Sequence, residues 1–193
     1  MNYVQEANGI FSTNLLESDR CRVIVESVKR AAQWQVAEVG SQSGEEEVVS
    51  VVDTEFRSAN VLFPTDAPAE CAELDRRFNA MLPMLVKDIW DLDLSDLEGT
   101  QIVRYGNQGH YDAHADAALD LQHRYFTALC YLNDDFEGGQ TTFPYLGDFS
   151  VSPRAGKLVV FPSRYVHRAE PVIKGEKYVA VTWLHGPAPF NWL

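Results

Sequence analysis

The chain has 193 residues, 46% hydrophobic and 11% aromatic, which is enough for one well-buried domain and too few for two of ordinary size. No apolar run approaches the roughly 20 residues that span a bilayer, and the N-terminal MNYVQEANGIFSTNLLESDR has neither the basic start nor the apolar stretch of a secretory signal, so no membrane association and a cytoplasmic location are expected. A formal net charge of -12 opposes attraction to a phosphate backbone, and nucleic acid is not an expected partner.

From Asn14 to Trp34 the apolar residues Leu15, Leu16, Val23, Ile24, Val28 and Ala31 recur at helical spacing after a Ser12/Thr13/Asn14 cluster able to cap a helix. A polar loop, Gly40 to Glu47, separates this helix from VVSVVDTEFRSANVLF, whose β-branched content predicts extended structure through Leu62. Residues 66 to 90 return to helical rhythm. Pro64, Asp66 and Pro68 mark the start, Leu74, Phe78, Met81, Leu82, Leu85 and Ile89 supply one face, and Pro83 is a possible kink.

Beyond Gly99 short apolar runs alternate with turn residues: QIVRY, GHYDAH, RYFTALCYL, GQTTF, FSV, KLVVF, a stretch from His167 to Val172, and KYVAVTW. Turns at Gly106-Asn107, Asp134-Asp135, Gly138-Gly139, Pro153 to Gly156 and Lys174-Gly175 punctuate them. The expected fold is α+β and mainly β: a double-stranded β-helix, or jelly roll, of about eight strands packed against N-terminal helices. It forms a single domain over 1–193, with helical support and an extended segment in 1–98 and the jelly-roll core in 99–185. Cys21, Cys71 and Cys130 are far apart and odd in number, which predicts reduced structural cysteines.

Within GHYDAHAD, His114 and Asp116 are two residues apart, so in an extended segment both side chains leave one face. A third ligand should come from a distant strand, and His167 in RYVHRAEPV is the best candidate. Two imidazoles and one carboxylate on one face of a metal leave positions open, which suits iron(II) with a bidentate cosubstrate and dioxygen. The same donors also suit catalytic zinc, so a zinc hydrolase is the rival enzyme. A non-catalytic jelly-roll metal-binding sensor is the rival outside catalysis. His110, His123 and His185 have no partner at comparable spacing and read as ordinary histidines.

Residues 150 to 178 carry six basic residues, Arg154, Lys157, Arg164, Arg168, Lys174 and Lys177, against Glu170 and Glu176, which makes an anionic ligand plausible there. Lys177 stands out because Tyr178, Val179, Ala180 and Val181 mark a buried strand, where an unpaired lysine is costly. Alternation puts Lys177, Val179, Val181 and Trp183 on one side, and likewise Thr127, Leu129 and Tyr131, leaving Ala128, Cys130 and Leu132 to pack behind against the helices.

These stretches together, RYGNQGHYDAHAD, YFTALCYLNDDFEGGQTTFP, AGKLVVFPSRYVHRAEPVIKGEKYVAVTW and FRSAN at 56 to 60, resemble the prolyl 4-hydroxylase-type branch of the iron(II)/2-oxoglutarate-dependent dioxygenases. The resemblance covers most of the chain. It implies iron(II) held by His114, Asp116 and His167, with 2-oxoglutarate as cosubstrate and O2 as oxidant. By the same resemblance Lys177 pairs with the distal carboxylate of 2-oxoglutarate, and Tyr105 and Tyr131 line the cosubstrate pocket. Arg57, Tyr111, Arg124 and Trp183 are substrate-binding candidates by position in the pattern. Arg168 and Ala169 depart from it beside the distal histidine. The implied activity is hydroxylation of an unactivated C–H bond, coupled to decarboxylation of 2-oxoglutarate to succinate and CO2. Retention of Asp116 disfavours the related halogenation chemistry. The compact chain and short loops favour an amino acid or other small metabolite as substrate, with a peptidyl proline as the alternative.

Overall fold

A computed structural model describes residues 2–30, 33–42, 48–118 and 120–187. The chain opens on an antiparallel pair, β1 (Val4–Ala7) and β2 (Ile10–Asn14), followed by helix α1 (Ser18–Val28). Short strands β3 (Gln35–Val36), β4 (Val39–Ser41), β5 (Val49–Val51), β6 (Arg57–Ser58) and β7 (Asn60–Leu62) lead to the long helix α2 (Pro68–Trp90). After α2 come β8 (Gln101–Tyr105), β9 (His110–His114), β10 (Arg124–Tyr131), β11 (Glu137–Gly138), β12 (Thr141–Phe143), β13 (Phe149–Val151), β14 (Lys157–Pro162), β15 (His167–Ala169), β16 (Val172–Lys174) and β17 (Lys177–His185).

The major sheet has the order β1-β2-β14-β10-β17-β8-β7-β3, and a minor sheet β13-β12-β15-β9-β6 faces it. β4–β5 and β11–β16 form separate two-stranded ribbons. Alternation along the central strands divides the core in two. Phe126, Ala128 and Cys130 of β10, Leu158 and Val160 of β14, and Tyr178, Ala180 and Leu184 of β17 turn outward onto Cys21, Ile24 and Val25 of α1 and Leu74, Phe78, Leu82 and Leu85 of α2. Leu129, Tyr131, Val159, Phe161 and Val179 turn inward and pack with Phe143 and Val151 between the sheets. The expected split of the β10 residues between a helix-covered face and a site face is therefore the arrangement found, and all three cysteines are free and buried. Burial on the helix-side face stabilises the major sheet, because each fully buried large side chain contributes about 1.5–3 kcal/mol.

The N-terminal half differs from the expected pattern. The helix predicted from Asn14 to Trp34 is limited to Ser18–Val28, and residues 10–14 are instead a strand paired with β14, with Leu158 opposite Thr13 and Val160 opposite Phe11. Ser12, Thr13 and Asn14 do not cap it; the N-cap is Glu17, without a side-chain hydrogen bond. The Leu15 N–H donates to the Gly156 carbonyl at 2.9 Å, which holds the chain extended where the periodicity suggested a helix. Tertiary pairing overrode the local pattern. As a result β1, β2, β3 and β7, all within residues 1–98, are part of the major sheet and not a separate helical support. Of the predicted loop at 40–47, Gly40 and Ser41 are strand residues of β4, and 43–47 lie outside the described residues, as does Ala31. α2 starts at Pro68, two residues after the expected 66, carries Pro83 inside it, and ends on Asp91 in the left-handed conformation.

Candidate metal and cosubstrate site

The site is built where the inward face of the major sheet meets β9 and β15 of the minor sheet. His114, at the end of β9, and His167, at the start of β15, are direct cross-strand partners. Asp116 lies two residues past His114, where the Ala117 N–H donates to the Ser163 carbonyl at 3.0 Å and fixes the turn. The three residues thus come together although 51 positions separate Asp116 from His167. Their ligand atoms lie within 4.8 Å of one another. His114 Nε2 is 3.4 Å from Asp116 Oδ1, and His167 Nε2 is 3.7 Å from Asp116 Oδ2.

Both imidazoles are oriented in the same way. Nδ1 of His114 donates to the Asp112 carbonyl at 2.7 Å, and Nδ1 of His167 to the Tyr165 carbonyl at 3.0 Å. Each bond places the ring proton on Nδ1 and leaves the Nε2 lone pair facing the carboxylate. Thr127 Oγ1 donates to Asp116 Oδ2 at 2.7 Å and lies 3.0 Å from Ser163 Oγ. Tyr111 stacks on His114 with ring centroids 3.5 Å apart, while Phe143 and Phe161 flank His167.

Burial alone would raise the Asp116 pKa, but the His167 and His114 rings outweigh it and hold the carboxyl well below the usual carboxylate range. Burial, and then the neighbouring His114, lower His167 to about 4. An ionised carboxylate and a neutral imidazole with a free Nε2 are the protonation states a divalent cation requires. The donor set of two nitrogens and one oxygen fits iron(II).

Lys177 sits at the start of β17 on the same inward face. It is 1% exposed, which settles it as interior and not an edge-strand lysine. Its ammonium donates to the Gly139 carbonyl at 2.7 Å and lies 4.8 Å from the Tyr105 ring and 5.5 Å from the Tyr131 ring. Burial lowers its pKa to about 7, with Glu170 opposing weakly. Gly139 makes the close approach possible: its φ is +65°, and a Cβ there would press on Lys177 Cδ at 3.2 Å. One inner cavity is lined by His114, Asp116, His167, Lys177, Tyr105 and Trp183, so the cation-binding and anion-binding ends share a space.

The remaining sequence candidates divide. Tyr105, Arg57, Tyr111 and Trp183 line the inner cavity. Tyr131 is fully buried behind it and donates to Thr141 Oγ1 at 2.8 Å, so Thr141 forms the wall there. Arg124 lies in an outer groove of about 490 Å³ that also takes in Tyr111, Asp116 and Trp183. Its guanidinium is 3.7 Å above the Trp183 ring and is paired with Glu98. Arg57 lies 4.6 Å above the Tyr111 ring and donates from Nη1 to the Glu38 carbonyl. Thr127 and Thr141 are the site residues that motif reading missed. Alternation already puts Thr127 on the site face, whereas the adjacent threonines of GQTTF give no reason to prefer Thr141.

Comparison with known proteins adds a family likeness to this geometry. The 2OG-Fe(II) oxygenase superfamily profile matches residues 100–185, the span that carries His114, Asp116, His167 and Lys177. Over that span the chain resembles this superfamily. Prolyl 4-hydroxylase subunit alpha-1 of Bos taurus is 34% identical over 121 residues, 53% of this chain and 22% of that protein. The chain therefore spans about a fifth of the length of such relatives. A crystal structure of a Pseudomonas putida prolyl-4-hydroxylase superposes with TM-score 0.67 at 23% identity, covering 93% of this chain and 94% of that one. A Trichoplax adhaerens prolyl hydroxylase, solved with a hypoxia inducible factor peptide fragment, superposes with TM-score 0.65 at 18% identity over 93% of this chain and 84% of that one. At these identities the superpositions speak for the jelly-roll fold. The family is one that uses iron(II), 2-oxoglutarate and dioxygen.

Proposed function

We propose that this protein is an active 2-oxoglutarate-dependent hydroxylase that holds iron(II) through His114, Asp116 and His167 and modifies a prolyl residue in a peptide. The observation that carries the reading is the shared cavity, with three metal-ligand atoms at one end and a buried ammonium at the other. Iron(II), when bound with 2-oxoglutarate and dioxygen, supplies the oxidising power for hydroxylation of an unactivated C–H bond, with release of succinate and CO2. The chain's own residues do the positioning. His114 and His167 turn their Nε2 atoms to the site, and Asp116 offers a carboxylate that Thr127 holds by hydrogen bonding. Lys177 receives the distal carboxylate of 2-oxoglutarate in a charge-assisted pair, which fixes the cosubstrate's orientation. The Thr141 hydroxyl, held by Tyr131, and the Tyr105 ring complete that end.

The peptide reading has two supports over the small-metabolite one. Relatives such as the Bos taurus protein carry the name prolyl 4-hydroxylase, and the Trichoplax adhaerens neighbour was solved with a peptide fragment. On this chain, the groove continues outward from Asp116 and Trp183 past Arg124 to the β3 and β4 residues Gln35 and Val39, which suits an extended chain better than a compact metabolite. Arg57 and Trp183 line both this groove and the inner cavity, and their buried Nε and Nε1 groups are donors that suit the carbonyls of a bound peptide.

Anaerobic addition of iron(II) and 2-oxoglutarate is expected to give the weak visible band of the chelate, and His114→Ala to abolish it. Its absence from folded protein would sink the metal assignment. Succinate release is then expected to rise with prolyl peptides and not with free amino acids. The reverse pattern would return the substrate to the small-metabolite class. Oxygen-independent hydrolysis with zinc would point to the hydrolase rival.

A further inference from the structure

A second cluster of metal-ligating side chains lies beside the outer groove, and it uses two of the histidines that the sequence left without partners. We propose that Glu98, His123 and His185 form a second divalent-cation site, of the kind that takes zinc(II). It shares no residue with the His114–Asp116–His167 cluster and does not depend on the proposed reaction.

The three residues come from separate segments that backbone hydrogen bonds hold together. Glu98 precedes β8, and its N–H donates to the Trp183 carbonyl at 2.9 Å. His123 immediately precedes β10, and its carbonyl accepts from the Gly186 N–H at 2.9 Å. His185 ends β17, and its N–H donates to the Asp96 carbonyl at 2.8 Å. Each side chain offers one ligand atom, and these atoms lie within 4.8 Å of one another. The two imidazole rings are 4.6 Å apart and nearly perpendicular.

The surroundings supply the outer contacts that a metal ligand needs. His185 Nδ1 is 3.3 Å from Asp96 Oδ2, and its Nε2 is 3.3 Å from Glu98 Oε2. With the Nδ1 proton held by Asp96, Nε2 turns its lone pair toward Glu98 in a carboxylate–histidine–metal arrangement. Asp96 and Glu98 outweigh Arg124 in charge and leave a local negative excess. Arg124 donates to both Glu98 oxygens, at 2.8 Å from Nε and 2.5 Å from Nη2, yet a carboxylate has about four lone-pair sites and keeps capacity for a cation. Two imidazoles and one carboxylate fit zinc and supply too few oxygens for calcium or magnesium. The Glu98 carboxylate that would bind the cation also orients Arg124 over Trp183, so occupancy of this site bears directly on the groove.

Zinc titration of the full chain, with elemental analysis after gel filtration, tests the site. About two zinc ions per chain are expected, and about one in each of His123→Ala, His185→Gln and His114→Ala. The ring of His123 makes none of the backbone ties, so its truncation leaves the segment in place. Cobalt(II) gives a second readout: intense visible bands of a four-coordinate site are expected in His114→Ala and should vanish when His123→Ala is added. Zinc stoichiometry and cobalt spectra unmoved by both His123→Ala and His185→Gln would overturn the proposal, as would a single zinc in the parent chain that His114→Ala removes.

Discussion

Lys177 and Tyr105 are cross-strand partners on β17 and β8, and the Lys177 ammonium lies 4.8 Å from the Tyr105 ring centroid. The pair ties a buried cation to the rigid centre of the major sheet, with the Gly139 carbonyl as its hydrogen-bond acceptor. A cation so placed has lost most of its hydration and gains strongly from an incoming carboxylate. Lys177→Ala is expected to weaken 2-oxoglutarate binding by about 10- to 100-fold, the equivalent of one charge-assisted hydrogen bond, while iron(II) affinity changes little. Calorimetric titration of the two ligands separately checks this, and equal losses for both would contradict the assigned role.

The same lysine gives a pH dependence with a definite sign. Burial lowers its pKa from 10.5 to about 7 in the free protein, so above about pH 7 the cation must be recharged before it can pair with a carboxylate. The 2-oxoglutarate Kd is expected to rise with pH above 7, by up to about tenfold per unit, and to level off below it. For folding the sign is opposite. The unfolded chain keeps this proton up to 10.5 and the folded chain releases it from about 7, so this residue's contribution to stability rises with pH between those values. A Kd constant from pH 6 to 9 would show that Lys177 keeps its charge across that range despite its burial.

In the sequence His167 is reached only as a distant candidate and through the family pattern, whereas His114 and Asp116 can be paired because β-strand alternation is a short-range rule in which a spacing of two fixes one face, and the flanking Tyr178 to Val181 mark Lys177 as buried. The late strands were legible for the same reason. The strand at Ile10 to Asn14 was not, since it is extended through pairing with Leu158 and Val160, nearly 150 residues away, while locally Ser12, Thr13 and Asn14 read as the cap of the helix that follows. The Glu98–His123–His185 cluster escaped for a related reason. Its members stand at strand ends and in a connection, where no periodicity relates them, and only the closing of the sheet brings them together.

α2 supports the site from the other side of the major sheet. Phe78 is fully buried among residues that include the outward-facing side chains of β10 and β17, whose inward-facing neighbours are Thr127, Leu129 and Lys177. Phe78→Ala is expected to destabilise the fold by about 3–5 kcal/mol through lost burial and the cavity left behind. Chemical denaturation measures this directly, and a loss below about 1 kcal/mol would mean that the helix layer repacks freely.

Thr127 links the strand scaffold to the metal site more directly. Its hydroxyl donates to Asp116 Oδ2 at 2.7 Å and lies 3.0 Å from Ser163 Oγ, so one β10 side chain sets the orientation of the carboxylate. Thr127→Val keeps the branched shape and removes this donor to the Asp116 carboxylate. Metal affinity is expected to fall by about 10- to 100-fold, as it does when an outer hydrogen bond to a ligand is lost. Ser163→Ala separates the two contacts: it leaves the Thr127–Asp116 bond in place and is expected to cost less metal affinity. Competition titration against a coloured chelator measures both variants. Unchanged metal affinity in folded Thr127→Val would show that the other neighbours of Asp116, His114, His167 and Trp183, hold it in position.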